Sequence, residues 1–153
     1  MRLNGLSYLM IWEKMVWIEN VSYEDIKEGL HFDAGSNSML IQIVDPDMEF
    51  PISKYDFRLV YQVKFLDVEN DEKAGIVYNE AINDEHATIL ADALTVAKNN
   101  SMNVIVHCVA GLCRSGAVVE VGTMMGFQDT EKFRAPNVMV KKMLMNKLGM
   151  NHE

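Results

Sequence analysis

Residues 107–115, His-Cys-Val-Ala-Gly-Leu-Cys-Arg-Ser, place a nucleophile among groups that bind anions. A loop that enters a helix directs several backbone N–H groups at one point, and Gly111 allows such a loop to curl. The planar guanidinium of Arg114 can hold two phosphate oxygens at once. These groups also favour the thiolate form of Cys108. A thiolate beside a bound phosphate is in position to attack phosphorus.

The elements on either side predict where this stretch lies. Asn103–His107 is a short apolar run typical of a buried parallel strand, and Ser115–Phe127 has the pattern of a helix. Open α/β sheets bind ligands beyond the carboxyl ends of their strands. We therefore expect residues 108–114, called here the 108–114 loop, to bind an anion at that edge of the sheet.

Strands and helices alternate along the rest of the chain, which predicts an α/β three-layer domain. Further strands are predicted at Met15–Ile18, Ser38–Val44 and Phe57–Val68. Further helices are predicted from Ser22 to Gly29, over Asp84–Asn99 after an Asn83 N-cap, and over Asn137–Leu148.

Composition and charge limit the class of protein. The chain has 153 residues and a mass of 17.4 kDa, which fits one domain over residues 1–153. Two cysteines are too few for a disulfide scaffold. The apolar patch Leu6–Trp12 lacks the flanks of a signal peptide, and no run is long and apolar enough for a bilayer. We therefore expect a cytoplasmic protein with reduced thiols and no membrane partner.

The sequence HCVAGLCRS matches the Cys-x5-Arg-Ser/Thr signature of protein tyrosine phosphatases, including the preceding His and the internal Gly. The short chain resembles the dual-specificity branch, and more closely the small bacterial and phage phosphatase-like proteins of that branch. Weaker matches extend the resemblance from about Met39 to Leu148; they are Leu40–Pro46, Phe65-Leu66-Asp67, the helix after Asn83, and Pro136-Asn137. The resemblance implies a central, mostly parallel sheet flanked by helices.

The resemblance also implies an enzyme that needs no metal and no cofactor. Cys108 would attack phosphorus in line and form a cysteinyl-phosphate. The phosphate would be held by the Arg114 guanidinium and by backbone N–H groups of Val109, Ala110, Gly111, Leu112, Cys113 and Arg114. Ser115 would hydrogen-bond the sulfur and ease its departure, with a simple helix cap as the alternative. His107 is expected to orient the loop rather than to act as a base.

A general acid must protonate the leaving oxygen. The family places an Asp on a loop after the preceding strand, and Asp67 ends the predicted strand Phe57–Val68. Asp71 is the second candidate, and Asp84 fits the start of a helix better. Without a working acid the chain would be a phosphate-binding pseudophosphatase.

Cys113 admits two interpretations. The spacing Cys108-x4-Cys113 directly before Arg114 is also that of the low-molecular-weight tyrosine phosphatases. A tightly curled loop could bring the two sulfurs within disulfide reach, so that oxidation gives a reversible disulfide instead of sulfinic acid. In the alternative, Cys113 is a small side chain that packs under the loop.

The substrate class follows from charge. None of the variable loop positions, Val109, Ala110, Leu112 and Cys113, is basic, whereas phosphoinositide phosphatases with this signature usually carry Lys there. The net charge of −8 also disfavours nucleic acid. We therefore expect a singly phosphorylated protein or peptide, with phosphotyrosine favoured, phosphoserine or phosphothreonine left open, and a non-protein phosphomonoester as the alternative.

Two surface features stay open at this stage. Phe50, Pro51 and Tyr55 are candidates for an apolar wall beside the pocket, with ordinary packing as the alternative. Trp12, Trp17 and the methionine-rich C-terminal end could form an interface, so a homo-oligomer remains an open interpretation.

Overall fold

A parallel β-sheet forms the centre of the structure, a computed structural model that describes residues 15–69 and 80–150. The sheet has five strands in the order β3-β2-β4-β1-β5, and all its strand pairs are parallel. The strands are β1 (Trp17–Val21), β2 (Ser38–Val44), β3 (Leu59–Lys64), β4 (Asn103–His107) and β5 (Gln128–Asp129). The helices are α1 (Tyr23–Glu28), α2 (Asp84–Asn99), α3 (Arg114–Met124) and α4 (Val138–Lys147).

Helices cover both faces of the sheet, which confirms the predicted three-layer α/β domain. Successive strand residues face opposite sides, so Ile41 packs in the larger core with α2, α3 and α4. Leu40 packs on the other face with Ile26 of α1 and Ile105 of β4. In the described residues, no helix is both long and apolar enough to cross a membrane.

Local signals explain why several elements match the predicted bounds. The strands β2 and β4 and the helix α2 have the predicted bounds, and the Asn83 side chain accepts a hydrogen bond from His86 N at the start of α2. Ser22 caps α1 by accepting from Asp25 N, and Gly29 is the C-cap that follows Glu28. Side-chain capping of this kind satisfies N–H groups that the first helical turn leaves free.

Other elements differ from the prediction. The strand predicted over Phe57–Val68 is limited to β3, because the chain leaves the sheet after Lys64 and Leu66 N donates to Glu80 O. The short strand β5 was not predicted, since two residues carry no periodic pattern. The first strand lies at Trp17–Val21 rather than Met15–Ile18. Helices α3 and α4 lie within about three residues of the predicted ends.

The parallel arrangement brings several loops to one edge of the sheet. The carboxyl ends of β1, β2, β3 and β4 lie at the same edge, because each strand runs in the same direction as its neighbour. Residues that follow these strands are Ser22, Asp45, the 65–68 segment and the 108–114 loop. This edge is therefore where the residues expected to do chemistry can meet.

Candidate active site

The 108–114 loop curls against the end of β1. Gly111 has a φ of +78°, which glycine adopts readily and other residues rarely do. A Cβ atom at this position would lie 2.5 Å from the backbone carbonyl carbon of Val21. The close approach of two backbones therefore requires glycine here.

Carbonyl groups of the loop are turned towards the surrounding scaffold. The Val109 carbonyl accepts a hydrogen bond from Tyr23 N at 3.1 Å, and the Gly111 carbonyl accepts one from Asn20 Nδ2 at 2.8 Å. The Leu112 carbonyl accepts from Ala135 N at 3.0 Å, and the Cys113 carbonyl accepts from Asn137 N at 2.9 Å. Because the C=O and N–H of a trans peptide point in opposite directions, the next N–H groups point to the inside of the loop. Those N–H groups belong to Ala110, Leu112, Cys113 and Arg114. The loop therefore presents a concave set of donors at the N-terminus of α3, which suits an anion.

Cys108 lies at the start of this concave loop. Its side chain is buried, and Sγ lies 3.2 Å from Oγ of Ser115, which is also buried. Helix α3 begins at Arg114, and its N-cap position is Cys113, which makes no side-chain capping bond. Ser115 therefore lies inside the first turn with its hydroxyl on the sulfur, rather than at the N-cap position.

Arg114 is held by one of its nitrogens. Nη1 donates to Asp45 Oδ1 at 2.8 Å and to the Phe65 carbonyl oxygen at 2.6 Å. The Arg114 side chain is buried, and its Nε has no hydrogen-bond partner among the described residues. A buried, charged donor without a partner is costly. An anion oxygen bound in the loop would supply that partner.

His107 supports the loop as an uncharged side chain. Its Nδ1 lies 3.0 Å from the Cys108 carbonyl oxygen, so Nδ1 carries the proton and donates to that acceptor. Burial lowers the pKa of His107 to about 4; the bond to the carbonyl opposes this shift, and Arg114 adds to it. The ring also meets the Tyr23 ring edge-on, with centroids 6.1 Å apart. These contacts agree with an orienting role.

Asp67 lies beside the loop, although its own side chain is exposed. Its Oδ1 accepts a 2.6 Å hydrogen bond from Asn137 Nδ2. Burial raises the pKa of Cys113, and the negative charge of Asp67 raises it further. Cys113 is therefore a protonated thiol, and neither it nor Cys108 is in a disulfide.

The other predicted residues lie elsewhere. Asp84 begins α2 and pairs with Lys147 at 2.6 Å, while Asp71 lies outside the described residues. Phe50, Pro51 and Tyr55 line a groove of about 470 Å³ with Leu40 and Gln42, and Gln42 is paired with His107, the last residue of β4. The Pro51 carbonyl accepts from the buried Gln42 amide there. The apolar wall expected from these three residues stays a prediction.

Sequence reasoning missed three polar residues that build the site. Asn20 is fully buried, and its Nδ2 donates to the carbonyls of Gly111 and Phe133. Asp45 binds Arg114, and Asn137 binds Asp67. An Asn within the apolar strand β1 and an Asp-Pro pair at the end of β2 were the available signals.

Comparisons with known proteins add no family assignment. No family model matches the chain, and no curated protein matches it. Over residues 15–69 and 80–150, no group of three or more His, Cys, Asp or Glu could hold a metal ion.

Proposed function

We propose that the protein is a metal-independent phosphatase that hydrolyses phosphotyrosine in a protein or peptide through a cysteinyl-phosphate on Cys108. One observation carries this proposal. The Cys108 sulfur lies 3.2 Å from Ser115 Oγ, at the start of a loop whose carbonyl groups are bonded to the scaffold. Nucleophile and anion donors therefore converge on one point, as covalent catalysis at phosphorus requires.

In the first step the Cys108 thiolate attacks phosphorus and a P–S bond forms. The bond between phosphorus and the leaving oxygen breaks, and that oxygen takes a proton from Asp67. The inward N–H groups and the free Arg114 Nε hold the non-bridging oxygens as their charge redistributes. The products of this step are a phenol and the cysteinyl-phosphate.

In the second step a water molecule attacks the cysteinyl-phosphate. Asp67 now accepts a proton from that water, a P–O bond forms, and the P–S bond breaks. The Ser115 hydroxyl donates to the departing sulfur at the observed 3.2 Å and stabilises its negative charge. Inorganic phosphate and the Cys108 thiolate result, so the chain returns to its starting state.

The proposed substrate follows from the surroundings of the loop. Val109 is 38% exposed and apolar, and Ala110 is exposed beside it, so the loop adds no cation for a second phosphate. The protein as a whole carries a net charge of −8, which repels polyanions. A phosphorylated aromatic side chain fits these properties better than a phosphoinositide or a nucleic acid.

The test is hydrolysis of para-nitrophenyl phosphate and of a phosphotyrosyl peptide with EDTA present. Cys108→Ser should abolish both activities. Asp67→Asn should reduce peptide hydrolysis by about 10²-fold or more, and para-nitrophenyl phosphate hydrolysis less, because a poor leaving group depends more on the acid. Asp92→Asn, on an exposed position of α2, is the matched control. Phosphoserine and phosphothreonine peptides measured alongside decide between tyrosine and dual specificity.

Three results would contradict the proposal. Activity that survives in Cys108→Ser would assign catalysis to another group. Binding of phosphate or vanadate without turnover of either substrate would instead identify a phosphate-binding pseudophosphatase, and turnover of small phosphomonoesters alone would identify a non-protein substrate.

A further inference from the structure

Asn137 connects several parts of the site through different polar groups. It is fully buried, and its backbone N–H donates to the Cys113 carbonyl at 2.9 Å. Its Oδ1 accepts from Val140 N at 2.9 Å and so caps α4. Its Nδ2 donates to Asp67 Oδ1 at 2.6 Å and to the Val68 carbonyl at 3.0 Å. Capping α4 uses the amide oxygen alone, so the contacts of Nδ2 serve another purpose.

The Asp67 segment has few other restraints on its side chain. Leu66 N donates to the Glu80 carbonyl at 2.6 Å, and the Val68 carbonyl accepts from Asn137. These bonds fix the backbone on both sides of Asp67, whose own side chain is exposed. An exposed carboxylate samples several rotamers, whereas a general acid must stay within hydrogen-bond reach of the leaving oxygen. The Asn137 amide restricts that freedom.

We propose that Asn137 is a positioning residue that holds the Asp67 carboxylate in place for proton transfer to the leaving oxygen. This inference rests on the proposed phosphatase function. A side-chain amide suits the task because it donates a hydrogen bond without titrating. With Oδ1 accepting from the Asn137 amide, Oδ2 is the oxygen left to carry the proton of the acid.

Substitution of Asn137 by serine separates this role from capping. Serine is a good N-cap residue and can still accept from Val140 N, but it lacks the amide that donates to Asp67. Asn137→Asp is the second variant, because aspartate keeps the size and the capping oxygen while removing the donor. Asn103→Ser is the matched control. Asn103 also joins two segments, accepting from Trp17 N and donating to the Ala34 carbonyl, but at the opposite edge of the sheet.

The measured quantity is kcat/KM for para-nitrophenyl phosphate divided by kcat/KM for phenyl phosphate. Loss of general acid catalysis raises this ratio, since phenol is the poorer leaving group. We expect Asn137→Ser and Asn137→Asp to raise the ratio about tenfold, and Asn103→Ser to leave it at the wild-type value. In an Asp67→Asn background, Asn137→Ser should change the ratio no further, because both substitutions act on the same proton transfer.

The outcomes distinguish this inference from the proposed function. If Asn137→Ser and Asn137→Asp lower both kcat/KM values equally, Asn137 has only a structural role and the inference is wrong. If Asp67→Asn leaves the ratio unchanged while Cys108→Ser abolishes activity, the phosphatase stands and the acid lies elsewhere. If the wild-type protein hydrolyses neither ester, the proposed function itself fails.

Discussion

Arg114 Nη1 lies 2.8 Å from Asp45 Oδ1, so the last residue of the 108–114 loop is bonded to the residue that follows β2. The Arg114 side chain is 5% exposed and that of Asp45 is 32% exposed. Solvent therefore screens part of the carboxylate charge, and the pair orients the guanidinium more than it stabilises the fold. The contact occupies Nη1 on one side of the guanidinium and leaves the buried Nε for a ligand.

Asp45→Ala should weaken anion binding because the guanidinium loses its orientation. We expect the inhibition constant for vanadate to rise about tenfold, which corresponds to about 1.4 kcal/mol. Asp45→Asn keeps an oxygen acceptor for Nη1 and should restore most of the affinity. If the inhibition constant of Asp45→Ala for vanadate equals that of the wild type, Arg114 is oriented by other contacts.

His107 should make the folded protein less stable as the pH falls. Its pKa is lowered from 6.5 to about 4 in the folded state, so below pH 6.5 the unfolded state binds a proton that the folded state does not. The contribution of His107 to the free energy of unfolding is fully present above its unfolded-state pKa. It is lost as the pH falls from there through the folded-state pKa, and the total loss is about 3 kcal/mol. Urea unfolding at a series of pH values measures this slope. In His107→Gln the free energy of unfolding should depend less on pH in this range. An unchanged dependence would contradict the lowered pKa assigned to His107.

Gly111→Ala should be much more harmful than Gly35→Ala. Both glycines have positive φ, +78° and +90°, so alanine costs about 1–2 kcal/mol of backbone strain at either position. Only at Gly111 would the new Cβ also meet the backbone of Val21, at 2.5 Å, whereas nothing lies within 4 Å at Gly35. We expect Gly111→Ala to lose at least tenfold in kcat/KM and to melt at a lower temperature than Gly35→Ala. Equal effects in thermal unfolding and kinetics would mean that the loop tolerates a side chain here.

Oxidation of Cys108 should be reversed to a much greater extent when Cys113 is present. Hydrogen peroxide would convert the Cys108 thiolate to sulfenic acid, and the Cys113 thiolate would displace hydroxide from it to form a disulfide. Because burial and Asp67 raise the pKa of Cys113, the recoverable fraction should increase with pH. Activity after peroxide and then dithiothreitol is the readout, with Cys113→Ser recovering much less than wild type. Equal recovery by the two proteins would exclude this protection.

The parts of the fold that sequence predicted correctly have strong local signals. Helix α2 has an apolar stripe and an N-cap at Asn83, and β4 is a short run of apolar residues, so their ends follow from local chemistry. The end of β3 does not follow from local chemistry, because the hydrogen bond between Leu66 and Glu80 joins segments on either side of residues 70–79.

The contacts within the site also divide into those between neighbours in sequence, which could be predicted, and those between distant residues, which could not. Cys108 and Ser115 lie close together because a buried strand, a tight loop and a helix follow one another in sequence. The contacts of Asn20 with Gly111 and of Asn137 with Asp67 join residues that are 91 and 70 positions apart. No local pattern specifies such pairs, since they depend on which strand ends become neighbours in the sheet.

These long separations have a consequence for biosynthesis. Asn137 supplies a bond to the 108–114 loop and another to Asp67, and it lies after every strand of the sheet. A nascent chain therefore lacks part of the site until Asn137 and α4 have left the ribosome. Domains of this size generally complete their long-range contacts late in folding, because loop closure costs entropy first. The proposed phosphatase activity, if followed during translation, would thus report the emergence of α4 rather than the formation of the sheet.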